Sequence, residues 1–152
     1  MVYWRHTGPY GAAIGKFWRG TVAPTLAEHG LIDCPRYGVI LDDPKHTTPE
    51  ICRYDACVQL PSGLSLADTA ETTISGGQYA VTSFKGRGTD IGAAWDAFLG
   101  AFGDDHAYCA DPMRPLFEHY PRGAFHDPRS GVFACELCLP ATRCPGPDQK
   151  PP

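Results

Sequence analysis

Ala13-Ile-Gly-Lys-Phe-Trp18 returns 77 positions later as Asp90-Ile-Gly-Ala-Ala-Trp95, and the β-like runs ending at Pro44 and Pro121 keep that separation. Further on, Tyr54 falls opposite Phe133, and Val58-Gln-Leu-Pro61 falls opposite Leu137-Cys-Leu-Pro140, both at a separation of 79. A repeat of this length predicts two equivalent strand-helix-strand-strand (SHS2) units, about residues 2–61 and 67–141. Joined in one sheet system around a pseudo-twofold axis, they make a single α+β domain over 2–141 with a central ligand groove where the units meet.

Local patterns fill in the elements. Val2 to His6 is a short β-like run rich in aromatics, broken by Thr7-Gly8-Pro9. A helix is expected from about Tyr10 to His29, with Ile14, Phe17, Trp18 and Thr21 on one face. Pro24 falls inside it, so the helix should kink or restart there. Strands follow at Arg36 to Leu41 and Ile51 to Leu60. In the second unit, Ala67 to Ile74 reads as an extra strand and Gln78 to Lys85 as the next. Thr89 is read as the N-cap of a helix over Asp90 to Phe102, with an apolar stripe of Ile91, Ala94, Trp95, Phe98, Leu99 and Phe102. Leu116 to Tyr120 and Val132 to Leu139 complete the set. The Pro-rich tail 145–152 is expected to be disordered.

Within Pro115-Leu-Phe-Glu-His-Tyr120, strand alternation puts Leu116, Glu118 and Tyr120 on one face. A carboxylate between a leucine and a tyrosine must reach water, pair with a cation, or await one, because desolvating an unpaired charge is costly. At the 77-residue repeat Glu118 corresponds to Leu41, so the charge stands on one side of a symmetric scaffold only.

Composition narrows the classes of function. With 43% hydrophobic and 20% charged residues, and 17 acids against 13 bases, the chain reads as a mildly acidic globular protein. It has no basic stripe for nucleic acid and no apolar run of membrane-span length. The start lacks the pattern of a secretory signal, which points to the cytoplasm. Seven cysteines without framework spacing suit free thiols in a reducing compartment. Cys135-Glu-Leu-Cys138 has zinc or redox spacing but lies in a strand-like run, where positions three apart face opposite ways. The six histidines have no helical partner at ligand spacing. Neither a metal nor a cofactor is expected.

Several separated motifs carry a resemblance: Arg5-His-Thr-Gly-Pro-Tyr10, Asp42-Asp-Pro44 with Arg53-Tyr-Asp-Ala-Cys57, Ser75-Gly-Gly-Gln-Tyr-Ala-Val81, Trp95, Phe117-Glu-His-Tyr120 and Glu136-Leu-Cys-Leu-Pro140. In this order, over roughly 2–141, they resemble the GyrI-like small-molecule-binding domain. That domain is shared by the DNA gyrase inhibitory protein and the effector-binding halves of certain AraC-type and multidrug-sensing regulators. The resemblance implies a cavity between the two units, with Glu118 matching the acidic residue that meets positively charged, lipophilic ligands among aromatic side chains. Tyr54, Trp95, Phe98, Phe133 and Tyr10 are the accompanying ligand-binding candidates, while Phe17 and Trp18 are assigned to the core.

The resulting expectation is a stand-alone effector-binding module for lipophilic cationic, drug-like molecules, used in sensing or sequestration and not catalytic. Regulators of this kind often carry a DNA-binding segment before the first strand, whereas this sequence begins almost on that strand, so a role in transcription would need a separate DNA-binding protein or a lost segment. Two alternatives belong to other classes: a hydrolase of strained electrophilic small molecules with Glu118 as general base, and a protein inhibitor of DNA gyrase. The sequence favours neither a monomer nor a dimer.

Overall fold

A computed structural model describes residues 1–146. The expected disordered tail falls largely on 147–152, outside the described residues. The described residues form an α+β fold with two main helical stretches, a short 3₁₀ turn at Pro49–Ile51 and eight strands. In chain order these are β1 (Val2–Thr7), α1 (Ala12–Phe17) continuing into α2 (Ala23–Glu28), β2 (Arg36–Ile40), β3 (Arg53–Val58), β4 (Ala70–Glu71), β5 (Tyr79–Gly86), α3 (Ile91–Gly103), β6 (Tyr108–Ala110), β7 (Leu116–Tyr120) and β8 (Phe133–Arg143).

All strand pairings are antiparallel, in the order β4-β1-β3-β2-β7-β8-β5, with β6 added on β8. The two helix-bearing segments meet at the β2–β7 ladder, where Gly38 pairs with Glu118 and Val39 with Phe117. Both helical stretches cover the same sheet face. Val22 and Leu26 of the first pack with Tyr54, Ala56 and Val58, and Trp95 of the second packs with Phe84, Cys135 and Leu137. Ile40 touches both clusters and joins them beneath the helices. The other face holds a smaller cluster around Val39, Cys57, Phe117 and Cys138.

Pro24 acts as its chemistry requires. Without an N–H, and with a ring that would strike the carbonyl four residues back, it cannot extend a regular α-helix. The chain instead makes one π turn over Trp18–Val22, in which the Ala23 N–H donates to the Trp18 carbonyl, and restarts with Pro24 in the first turn of α2.

Several boundaries differ from expectation. The residue before α3 is Asp90 rather than Thr89, and its Oδ2 accepts from the Arg87 N–H. The extra strand shrinks to Ala70–Glu71 on β1, and β8 runs on to Arg143, long enough to pair β6, which the sequence reading lacked. That pairing corrects the cysteine reading. Cys109 lies in β6 opposite Thr142, which brings it to Cys144, and the two form a disulfide. Cys34, Cys52, Cys57, Cys135 and Cys138 are free and buried. Cys135 and Cys138 belong to clusters on opposite faces, so they do not converge on a common metal or form a redox pair. No helix among the described residues is long and apolar enough to cross a membrane.

Candidate ligand site

Strand alternation turns Leu116, Glu118 and Tyr120 toward the helices, and Glu118 is only 5% exposed. Two tyrosine hydroxyls donate to one of its oxygens: Tyr54 Oη at 2.9 Å and Tyr120 Oη at 2.8 Å, both to Oε2. The Trp18 indole N–H, in the π turn, donates to Tyr54 Oη at 3.0 Å. A relay thus runs from Trp18 through Tyr54 to Glu118, and the unusual helical turn sets its first donor. The Trp95 indole N–H lies near enough to favour the charged carboxylate but outside hydrogen-bond geometry, and its Nε1 is buried without a partner among the described residues.

Gly38 makes this convergence possible. It sits directly across the ladder from Glu118, and a Cβ there would lie 1.9 Å from Tyr54 Oη and 2.7 Å from Glu118 Oε2. Only a residue without a side chain lets the tyrosine cross from β3, over β2, to the carboxylate on β7.

Burial pushes the Glu118 pKa up from 4.5, opposed by the hydrogen bonds from Tyr120 and Tyr54 and by the nearby Trp95 indole N–H. Burial and the adjoining carboxylate raise both tyrosines well above 10, so they remain protonated donors. Neutral groups therefore stabilise the carboxylate, and no ion pair among the described residues includes Glu118. Two hydrogen bonds fall on Oε2, while Oε1 accepts none among the described residues. The arrangement can hold a charge, and it leaves Oε1 without a donor among the described residues.

Aromatic rings extend from this centre. Tyr120 packs against Trp18 at 5.8 Å and Phe133 at 6.0 Å, and Phe133 against Phe84 at 5.5 Å, between ring centroids. Tyr54, Glu118 and Trp95 are buried, whereas Trp18, Tyr120, Phe133 and Phe98 are half-buried. The result is a closed polar floor with a partly open aromatic border.

Of the residues singled out from sequence, Tyr54 touches Glu118 directly, Trp95 adjoins it, Phe133 meets Tyr120, and Phe98 packs on Trp95 at 6.1 Å. Tyr10 stands further back. Its ring meets Tyr54 edge-on at 6.4 Å, and its hydroxyl donates to the Asp42 and Arg53 carbonyls. Trp18, assigned to the core, does pack against the first cluster, and it also donates to Tyr54 Oη. Tyr120 was missed although it shares a strand face with Glu118 at two-residue spacing, the signal that would have found it. The Leu41 counterpart does not hold either. Leu41 packs in the cluster on the opposite face, and directly paired residues of an antiparallel ladder share a face, so Gly38 is what faces Glu118.

Fold and site together define the class: a helix-covered antiparallel sheet with a buried acid among aromatics. The chain belongs to the GyrI-like family, whose small-molecule-binding domain model matches residues 1–142. It is 35% identical over 119 residues to a DNA gyrase inhibitor of Escherichia fergusonii, covering 76% of this chain and 74% of that protein. A DNA gyrase inhibitor of Cronobacter sakazakii is 34% identical over 106 residues, 67% of this chain and 65% of the relative. One of Escherichia coli is 34% identical over 93 residues, 59% of each chain.

Proposed function

We propose that the chain is an effector-binding module for lipophilic, cationic small molecules, used in sensing or sequestration. In this reading the two strand-helix-strand-strand units are related by a pseudo-twofold axis at the β2–β7 ladder, and the ligand enters between their helices. The carrying observation is that, among the described residues, Glu118 is buried without a cation and has one oxygen unspent. In a low-dielectric setting, a carboxylate attracts a cation far more strongly than in water. Faces of Tyr120, Trp18 and Phe133 would each add roughly 0.5–2 kcal/mol if the cation lay over them. Few directional contacts are required, so cations of varied shape would be accepted.

Entry requires opening. Tyr54 is buried and held by Trp18, whereas Tyr120 is half-buried and held to Glu118 by one bond, so Tyr120 is the side chain that swings aside. The test is a thermal-shift series with hydrophobic quaternary ammonium ions and matched neutral analogues. Saturable stabilisation by the cations, lost in Glu118→Gln, is expected; equal stabilisation by the neutral compounds would refute the reading.

The relatives' name supplies a second reading, inhibition of DNA gyrase through the protein surface. A supercoiling assay that shows inhibition independent of Glu118 would favour it. In a hydrolase, Glu118 would act as general base on a water. Turnover of a reactive cyclopropane compound, abolished by Glu118→Gln, would mark that alternative.

A further inference from the structure

Two buried side-chain donors lack a partner among the described residues, Trp95 Nε1 and Arg36 Nε, and both belong to the helix-covered face around Glu118. Such orphans are uncommon in folded proteins, and each calls for a physical reason. Trp95 adjoins the carboxylate itself. Arg36 begins β2 two residues before Gly38, on the same face, and pairs across the ladder with Tyr120, the ring that covers Glu118. It is half-buried and takes part in no ion pair among the described residues. Burial lowers its pKa from the ordinary arginine value, against weaker opposing influence from Tyr120, Asp33 and Cys34. A guanidinium remains charged under these conditions.

Tyr120 thus neighbours an anion with a free oxygen two residues back along its own strand and, across the ladder, a cation with a free donor, neither of them in an ion pair among the described residues. Two residues along a strand span about 7 Å, so the charges are set apart rather than paired. A simple cation satisfies only the first. An arginine also presents a planar fork suited to a carboxylate.

We propose that the ligand of this site is zwitterionic: an aryl compound whose ammonium group meets Glu118 Oε1 and whose carboxylate, carried across the Tyr120 ring, accepts from Arg36. This rests on the binding reading above and narrows it from cations in general to those bearing an acid at a distance. It also gives Arg36 a selective role. With no acid to meet it, the guanidinium repels a plain cation, so the pair discriminates between ligands of equal lipophilicity.

The test uses three forms of one compound: 3-[4-(aminomethyl)phenyl]propanoic acid, its methyl ester and its N-acetyl derivative, titrated calorimetrically into the full chain. They present a zwitterion, a monocation and a monoanion on the same ring. The free amino acid is expected to bind at least about tenfold more tightly than the ester, the increment of a charge-assisted hydrogen bond. Arg36→Met should collapse that ratio to about one, and Glu118→Gln should weaken both amines. An ester that binds as well as the acid, while Glu118→Gln weakens both, overturns the zwitterion and leaves the cation reading standing. If neither amine binds, both readings fall. The wild-type ratio decides the matter even if Arg36→Met does not fold, and a ratio that persists in a folded Arg36→Met also overturns the role of Arg36.

Discussion

Asp55 and Glu118 are each 5% exposed, on opposite faces of one sheet, yet their surroundings differ in kind. Asp55 receives both arms of Arg5 from the neighbouring strand, Nε to Oδ1 at 2.7 Å and Nη2 to Oδ2 at 2.8 Å. The register seats them directly opposite one another, and the charge of Asp55 is answered within the chain. Glu118 receives two phenols on one oxygen and, among the described residues, no cation. A buried acid with its own arginine is part of the scaffold; one held by neutral donors has an outstanding electrostatic requirement that a ligand can meet. Burial alone does not separate the two, and the partners do.

The contrast can be broken most severely at Gly38. Gly38→Ala drives a methyl into Tyr54 Oη and Glu118 Oε2, so overpacking and loss of the polar centre should together cost about 3 kcal/mol or more. Urea denaturation reads this, and a loss below about 1 kcal/mol would mean that the tyrosine does not cross over that glycine. Asp55→Asn should cost less, about 2 kcal/mol, because the Arg5 side chain is 40% exposed and can partly rehydrate when its pair is removed. Tyr120→Phe removes one donor from a charged acceptor and should cost about 1.5 kcal/mol, while raising the Glu118 pKa further because a bond favouring the charged form is gone.

Glu118→Gln should have the smallest effect and the opposite sign. The amide oxygen keeps both tyrosine donors while the buried charge disappears, so stability at neutral pH should be unchanged or up to about 1 kcal/mol higher. Its pH dependence follows from the raised pKa. A carboxyl whose folded pKa lies above its unfolded value destabilises the fold when ionised in both states. That penalty is released as pH falls through the folded pKa and is gone below about 4.5. The advantage of Glu118→Gln over wild type should therefore shrink as pH drops through this window. An advantage that grew on acidification would contradict the burial account.

Much of the architecture was legible because periodicity and punctuation act locally. Leu116–Tyr120 was read to its exact bounds from alternation, and the interruption at Pro24 followed from a missing N–H. The short strand β6 was not legible, since three residues carry too little pattern and Tyr108–Ala110 is a strand only because β8 extends to meet it. The disulfide depends on the same pairing and shared its fate. At the candidate site, Glu118 and Tyr54 could be named from sequence, but not their bond, because residues 64 positions apart meet only through the strand order β3-β2-β7. Gly38 gave no signal: one glycine in a strand is ordinary until the partner's side chain is known to pass over it. The supposed Leu41 counterpart failed for a related reason. A one-residue error in repeat alignment exchanges the two faces of a strand, and similarity of letters does not detect that.

The most direct measurement of the central claim is the titration of Glu118 itself, by carboxyl-carbon NMR with and without a hydrophobic ammonium ligand. The expected result is a pKa above 4.5 in the free protein that falls when the cation binds, by the same free energy by which binding strengthens on ionisation of Glu118. A Glu118 pKa at its ordinary value in the free protein, or one that does not move while the cation saturates its site, would contradict it.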